Sequence, residues 1–238
     1  ALLNLPFVLT LAIGLSLSAI AWAWVFHDTR TRGQLRFESH VERLCRDIQQ
    51  RVELTAHGLR GARDLYMGSE HVNRMEFQEY VEAREFNREF PGALGFGFIE
   101  RVSRNDLNQF EARERADEAP GFTVSRTGNG QYAYIVKFIA PLAENKEARG
   151  QDMGADPVIR AALNHAVNSG KPAISPPLAL RRNNRESPGF LYFLPVYAKK
   201  SAPTTPEERT ENLVGILYAP VSVNYTLTVI AQPTGQLL

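Results

Sequence analysis

Arg149-Gly150-Gln151-Asp152-Met153-Gly154-Ala155-Asp156-Pro157 opens the stretch from which the fold is read, and Gly170-Lys171-Pro172-Ala173-Ile174-Ser175-Pro176-Pro177-Leu178 and the apolar run Gly189 to Tyr197 complete it. Asp156-Pro157 is a helix start: a carboxylate placed to cap, then a proline whose missing N–H costs nothing at the first helical position. Val158, Ala161, Ala162, His165 and Ala166 recur at helical spacing. Gly170 ends that helix as a residue able to take the left-handed conformation. The order is loop with a carboxylate, helix, proline-rich strand, polar turn from Arg181 to Pro188, and buried strand. It reads as one wall of a binding site.

Working outward, Ala93 to Ile99, Gly121 to Arg126 and Tyr132 to Ala140 read as strands upstream, and Leu213 to Tyr218 and Val221 to Ile230 as strands downstream. Ser103-Arg104-Asn105-Asp106 resembles a capping start for a helix to about Ala116. About six strands interleaved with short helices indicate an α+β fold, with antiparallel or mixed sheets and helices to one side.

The N-terminal part is different in kind. Leu5 to Phe26 carries no charge and is long enough to cross a hydrocarbon layer, which takes ~20 residues, with Trp22 and Trp24 near its end. A signal peptide is the rival reading, since Ala19-Ile20-Ala21 resembles a cleavage site, but the apolar run exceeds the usual ~7–15 residues. A proline-free helical pattern then runs from about Thr29 to Tyr66. Phe37, Val41, Leu44, Ile48, Val52, Thr55, Leu59, Ala62 and Tyr66 form one apolar stripe along it. That stripe either packs on the following domain or pairs with a second copy; both hold if different turns do each.

The net charge of +1 gives no electrostatic case for nucleic acid, and the single Cys45 excludes a disulfide framework within the chain. The sequence has no G-x-S-x-G elbow, no H-E-x-x-H, no phosphate-binding G-x-x-x-x-G-K and no paired-cysteine zinc spacing. No catalytic residue, metal site or cofactor is therefore expected, and binding is the better default. Asp152, between Gly150 and Gly154, is a carboxylate on a tight backbone that can accept a hydrogen bond from a ligand N–H. The alternative is that it caps a turn. Two further classes stand beside a receptor: a membrane-anchored enzyme using Asp152 with His165, and a ligand-free dimerisation module.

Several quoted runs together resemble the CHASE domain. They are Arg84-Glu85-Phe86, Pro91-Gly92-Ala93-Leu94-Gly95-Phe96, Glu111-Ala112-Arg113, Gln151-Asp152-Met153, Ser169-Gly170-Lys171, Leu191 to Tyr197, Thr205-Pro206-Glu207-Glu208-Arg209 and Gly215-Ile216-Leu217. CHASE domains are extracellular or periplasmic sensory regions of receptors such as the plant cytokinin receptor kinases and many bacterial histidine kinases and nucleotide cyclases. The resemblance implies a transmembrane helix in residues 1–27, a long signalling helix and connector over 28–76, a sensory domain of two PAS-like α/β subdomains over 77–224, and a connector over 225–238. It also implies a homodimer at the inner membrane, lipid contact through residues 5–26, and a second membrane helix leading to a cytoplasmic histidine kinase or diguanylate cyclase. The implied ligand is a small molecule. Asp152 falls where cytokinin receptors bond the adenine ring, and Ile174 near the position whose backbone meets the purine. Asn183 falls where those receptors have a threonine against the ligand tail, and Phe138, Met153 and Leu194 line the apolar walls.

Overall fold

Along β6 (Leu213–Ser222), Ile216 and Tyr218 join one apolar cluster while Leu217 and Ala219 join another, and all four are fully buried. Because side chains alternate across a strand, this strand is covered on both faces. The rest of the fold follows from that demand. The structure, a computed structural model, describes residues 5–69, 71–182, 185–199 and 201–225; of the side chains before Cys45 it describes those at 11, 13–19 and 22.

The elements run α1 (Leu5–Gly68), α2 (Arg74–Glu82), α3 (Phe86–Glu89), β1 (Phe96–Ser103), α4 (Leu107–Ala116), β2 (Tyr132–Ala140), α5 (Leu142–Asn145), α6 (Pro157–Ser169), β3 (Ala173–Ile174), β4 (Leu178–Arg182), β5 (Arg185–Tyr197), α7 (Pro206–Glu211) and then β6. The six strands form one antiparallel sheet in the order β2-β1-β6-β5-β3, with β4 folded back on β5. The fold is α+β, as expected. The described strands share this one sheet, held together by the long β5–β6 ladder from Gly189↔Ser222 to Tyr197↔Leu213.

Helices cover both faces, not one. Phe96, Phe98, Phe138, Leu194 and Leu217 lie under the last turns of α1 (Ala56, Leu59, Ala62) and under Phe77 and Val81 of α2. On the other face α6 packs through Ala162, Leu163, Ala166 and Val167. The strand runs were continuous rather than alternating in hydrophobicity, which is the mark of two-sided burial. The core-facing stripe of α6 is rotated from the one expected, because Val158 is 52% exposed. The helix itself forms as expected: Asp156 accepts from the Val158 and Ile159 N–H groups, and Gly170 closes it at φ +68°.

Two further expectations are corrected. Gly121 to Arg126 is not a strand: Phe122 and Val124 are buried beside α4, but the Val124 N–H donates to Glu111 Oε2 and the Ser125 N–H to the Gly150 carbonyl, so no ladder forms. The polar turn is also shorter than read, because β5 begins at Arg185 and pairs with β4 through Arg182. Residues 226–238, with most of the expected final connector and strand, lie outside the described residues.

β2 carries a bulge that places a charge. Phe98 pairs with Phe138 and Ile99 with Val136, leaving Lys137 as the extra residue. Lys137 and Phe138 thus both serve the α2 side, Lys137 Nζ lying 3.4 Å from Glu100 and 3.3 Å from Glu114. Arg74 Nη2 reaches Glu114 at 3.0 Å, and burial nonetheless pushes the Glu114 carboxyl above its ordinary range.

The chain divides into two compact units, residues 1–49 and 50–238. In the second, Val52, Leu59, Ala62 and Tyr66 of the α1 stripe pack on the sheet cluster. The stripe side chains Phe37, Val41 and Leu44 lie outside the described residues, as do residues 1–4. In the first unit Leu5 to Phe26 is helical, and its described large side chains Leu11, Ile13, Leu15, Leu17 and Trp22 are exposed. Among the described residues no helix is long and apolar enough to cross a membrane.

Phe77, 1% exposed and stacked on Phe138 at 5.5 Å, anchors α2 to the sheet. Phe77→Ala is expected to cost about 3–5 kcal/mol in chemical denaturation. A loss below about 1 kcal/mol would mean that α2 does not hold this face.

Candidate functional site

Gly97 on β1 pairs with Tyr218 on β6, and a Cβ at Gly97 would meet the Tyr218 ring at 2.2 Å. Only glycine lets that ring lie across the neighbouring strand. The ring thereby forms part of the wall of a cavity of about 340 Å³, on the face of the sheet that carries α6. That size lies within the range of small-molecule sites.

The interior of the cavity is apolar: Leu94, Ile139, Leu180 and Leu191 are all buried, and Met153 and Ile159 are half-buried there. Its charged side chains, Glu147 and Arg181, are exposed at the rim, and Arg181 is tied to Glu186 at 2.8 Å. Two buried polar groups touch the wall. The Asn145 amide is spent, donating to the Leu94 carbonyl at 3.1 Å and the Pro141 carbonyl at 2.9 Å. The Tyr218 hydroxyl is fully buried and has no hydrogen-bond partner among the described residues, and burial pushes its ionisation well above the ordinary phenol range.

Asp152 sits beside this cavity, not in it. Its side chain has no exposed surface. Oδ1 accepts from the N–H groups of Tyr134 (2.9 Å) and Gly154 (3.0 Å), and Oδ2 accepts from Arg104 Nη2 at 2.6 Å. Arg104 also donates to the Gly130 carbonyl, and Arg160 Nε donates to the Gly154 carbonyl at 2.5 Å. The loop is further zipped to the edge of β2, where the Val136 N–H donates to the Gln151 carbonyl and the Gly150 N–H to the Val136 carbonyl. The carboxylate thus clamps the short turn that presents Met153 to the cavity.

The other residues singled out from sequence are dispersed. Phe138 and Leu194 are buried on the opposite face, toward α1 and α2. Ile174 pairs with Tyr192 at the sheet edge, is 49% exposed, and lines an open groove with Val158 and His165. Asn183 lies outside the described residues. Of the five that are described, Met153 alone lines the cavity, and Asp152 and His165 do not share one. Sequence reading missed Tyr218, Leu180 and Arg104. Tyr218 had one usable signal, a hydroxyl inside an otherwise apolar run opposite a glycine-spaced strand.

Residues 70–237 match the CHASE domain family. Among curated proteins none matches the chain. Among solved structures the chain is similar to the periplasmic sensory domain of the Campylobacter jejuni chemoreceptor Tlp1, at 10% identity and a TM-score of 0.44. That similarity covers 80% of this chain and 59% of the Tlp1 chain, so this chain spans less than two thirds of it.

Asp152→Ala strips Arg104 and two backbone N–H groups of their acceptor and is expected to destabilise the fold by about 3 kcal/mol, read by urea denaturation. A carboxylate whose role is ligand contact alone would leave the unliganded stability unchanged.

Proposed function

The chain belongs to the CHASE domain family, and on that premise we propose that it is the extracytoplasmic sensing region of a membrane receptor, which admits a small molecule to the cavity beside β6. The observation that carries this reading is the position of the cavity. Its wall includes Tyr218, while the next residues of the same strand, Leu217 and Ala219, lie on the other face in the cluster with Leu59 and Ala62 of α1. A ligand that favours one packing of β6 thereby favours one packing of α1, which is signalling by differential binding to two states.

Met153 enters this reading as a ligand-facing side chain and Asp152 as the group that holds it in place. Purines and cytokinin-like molecules are the first ligand class to test, because the resemblance places the adenine contact beside Met153. Residues 5–26 serve as the membrane anchor, and the α1 turns before Gln50 pair with a second copy. The output is a histidine kinase or diguanylate cyclase on the far side of the membrane, so the sensing region stands in the periplasm or outside the cell.

A thermal-shift screen of purines, cytokinins, amino acids and organic acids tests the cavity. A ligand at about 100 times its dissociation constant stabilises by ~2.7 kcal/mol. Ala148→Trp, which pushes a ring into the cavity from its half-buried wall, is expected to abolish the shift of any true ligand. Shifts that survive this variant place the ligand elsewhere. Pairing of α1 is tested through Cys45, the only cysteine, which is exposed on that helix. A short bis-maleimide is expected to yield a cross-linked dimer in membranes and none with Cys45→Ser.

A further inference from the structure

Resting on the reading of this cavity as the sensing site, we infer that its ligand is a neutral, largely apolar molecule whose inner end carries a hydrogen-bond acceptor, a carbonyl oxygen or a ring nitrogen, that takes the Tyr218 O–H. Three observations converge. The first is the unpartnered hydroxyl: no group among the described residues accepts from it, and a buried polar group in that state costs free energy comparable to a lost hydrogen bond. Of the buried atoms in that state, that of Tyr218 alone belongs to a residue lining this cavity, where a ligand acceptor would recover that cost. The second is the setting of that hydroxyl. The buried walls around it are aliphatic, the Asn145 amide N–H groups are already used, and the charged side chains stand only at the exposed rim.

A carboxylate drawn to that depth would meet a single donor and no buried cation, and its desolvation would outweigh one hydrogen bond. A phenol is a strong donor and a weak acceptor, because its oxygen lone pair is shared with the ring. The matching ligand atom is therefore an acceptor. The third observation is size. A water molecule takes up about 30 Å³ and needs two to four polar partners, whereas the cavity is about 340 Å³ and its buried wall offers one free donor. The space suits a bicyclic or similar small organic molecule. Glu147, Gln151 and Arg181 at the rim receive its polar outer end.

Gly97 belongs to this device. It keeps the Tyr218 ring flat across β1, where a side chain would displace it.

The test uses adenine and nicotinamide as neutral probes with acceptors, indole as a probe with an N–H and no acceptor, and benzoate as an anion. Each is titrated by thermal shift against the full chain, Tyr218→Phe and Ala148→Trp. Tyr218→Phe removes one oxygen and keeps the ring. The unliganded variant is expected to melt at or above the parent temperature, because the unpartnered hydroxyl is gone. Its affinity for the better of the two acceptor probes is expected to fall by roughly tenfold. Indole and benzoate are expected to bind the parent more weakly than that probe.

Equal affinity of Tyr218→Phe and parent, with binding lost in Ala148→Trp, overturns the role of Tyr218 while leaving the cavity as the site. Benzoate binding more tightly than both neutral acceptor probes overturns the ligand class. A saturable shift that persists in Ala148→Trp, or no shift from any probe, overturns the underlying site and this inference with it. A lower melting temperature in unliganded Tyr218→Phe means that the hydroxyl has a partner within the fold, and also overturns the inference.

Discussion

A central strand buried on both faces is the constraint on which the rest of this structure depends. Leu217 and Ala219 of β6 must be covered by one layer and Ile216 and Tyr218 by another, and the chain supplies the last turns of α1 for the first and α6 for the second. Exposing either surface to water would cost roughly 1.5–3 kcal/mol for each large side chain. The two helical layers are therefore coupled through a sheet one residue thick. A change in how Tyr218 sits is felt by its chain neighbours on the α1 side with no intervening element.

The same constraint explains where polar groups are found. At the edge of β2 a carboxylate and an arginine make the closure: Asp152 joins Arg104, the β2 backbone and the following turn in one buried knot, to which Arg160 of α6 adds a bond at the Gly154 carbonyl. On the opposite face, the bulge at Lys137 turns a cation toward Glu100 and Glu114, and Arg74 completes the set from α2. The first cluster is satisfied within the fold, and in the second Glu114 Oε1 meets its cations only as an ion pair, Lys137 Nζ at 3.3 Å. The Tyr218 hydroxyl, like the Tyr66 hydroxyl, has no partner among the described residues, and of these two tyrosines it is Tyr218 that lines the cavity on the α6 face.

Much of the fold was legible in the sequence because local chemistry marks its boundaries. Asp156, Pro157 and Gly170 bound α6 as their capping and backbone preferences require, and the apolar runs around residues 135, 193 and 216 are strands. Reading failed where the backbone finds unusual partners. Gly121 to Arg126 has strand composition, yet its hydrogen bonds go to a glutamate side chain and a glycine carbonyl, which no period in the sequence announces. The side of the sheet that a residue faces was also lost: one bulge between Val136 and Phe138 changes the register, so Phe138 and Met153 came to opposite faces although both read as apolar wall.

By itself the sequence determined the class of fold, the family, the long helix before the sheet and the tight turn around Asp152, since capping, periodicity and glycine or proline placement act over a few residues. Only the tertiary structure decided which of those residues share a cavity. Whether a carboxylate meets a ligand or an arginine, and whether a tyrosine finds a partner, depends on groups tens of residues away: Arg104 for Asp152, Gly97 for Tyr218. Those pairings are made by strand register and helix docking, and neither is written in the residues on either side of the site.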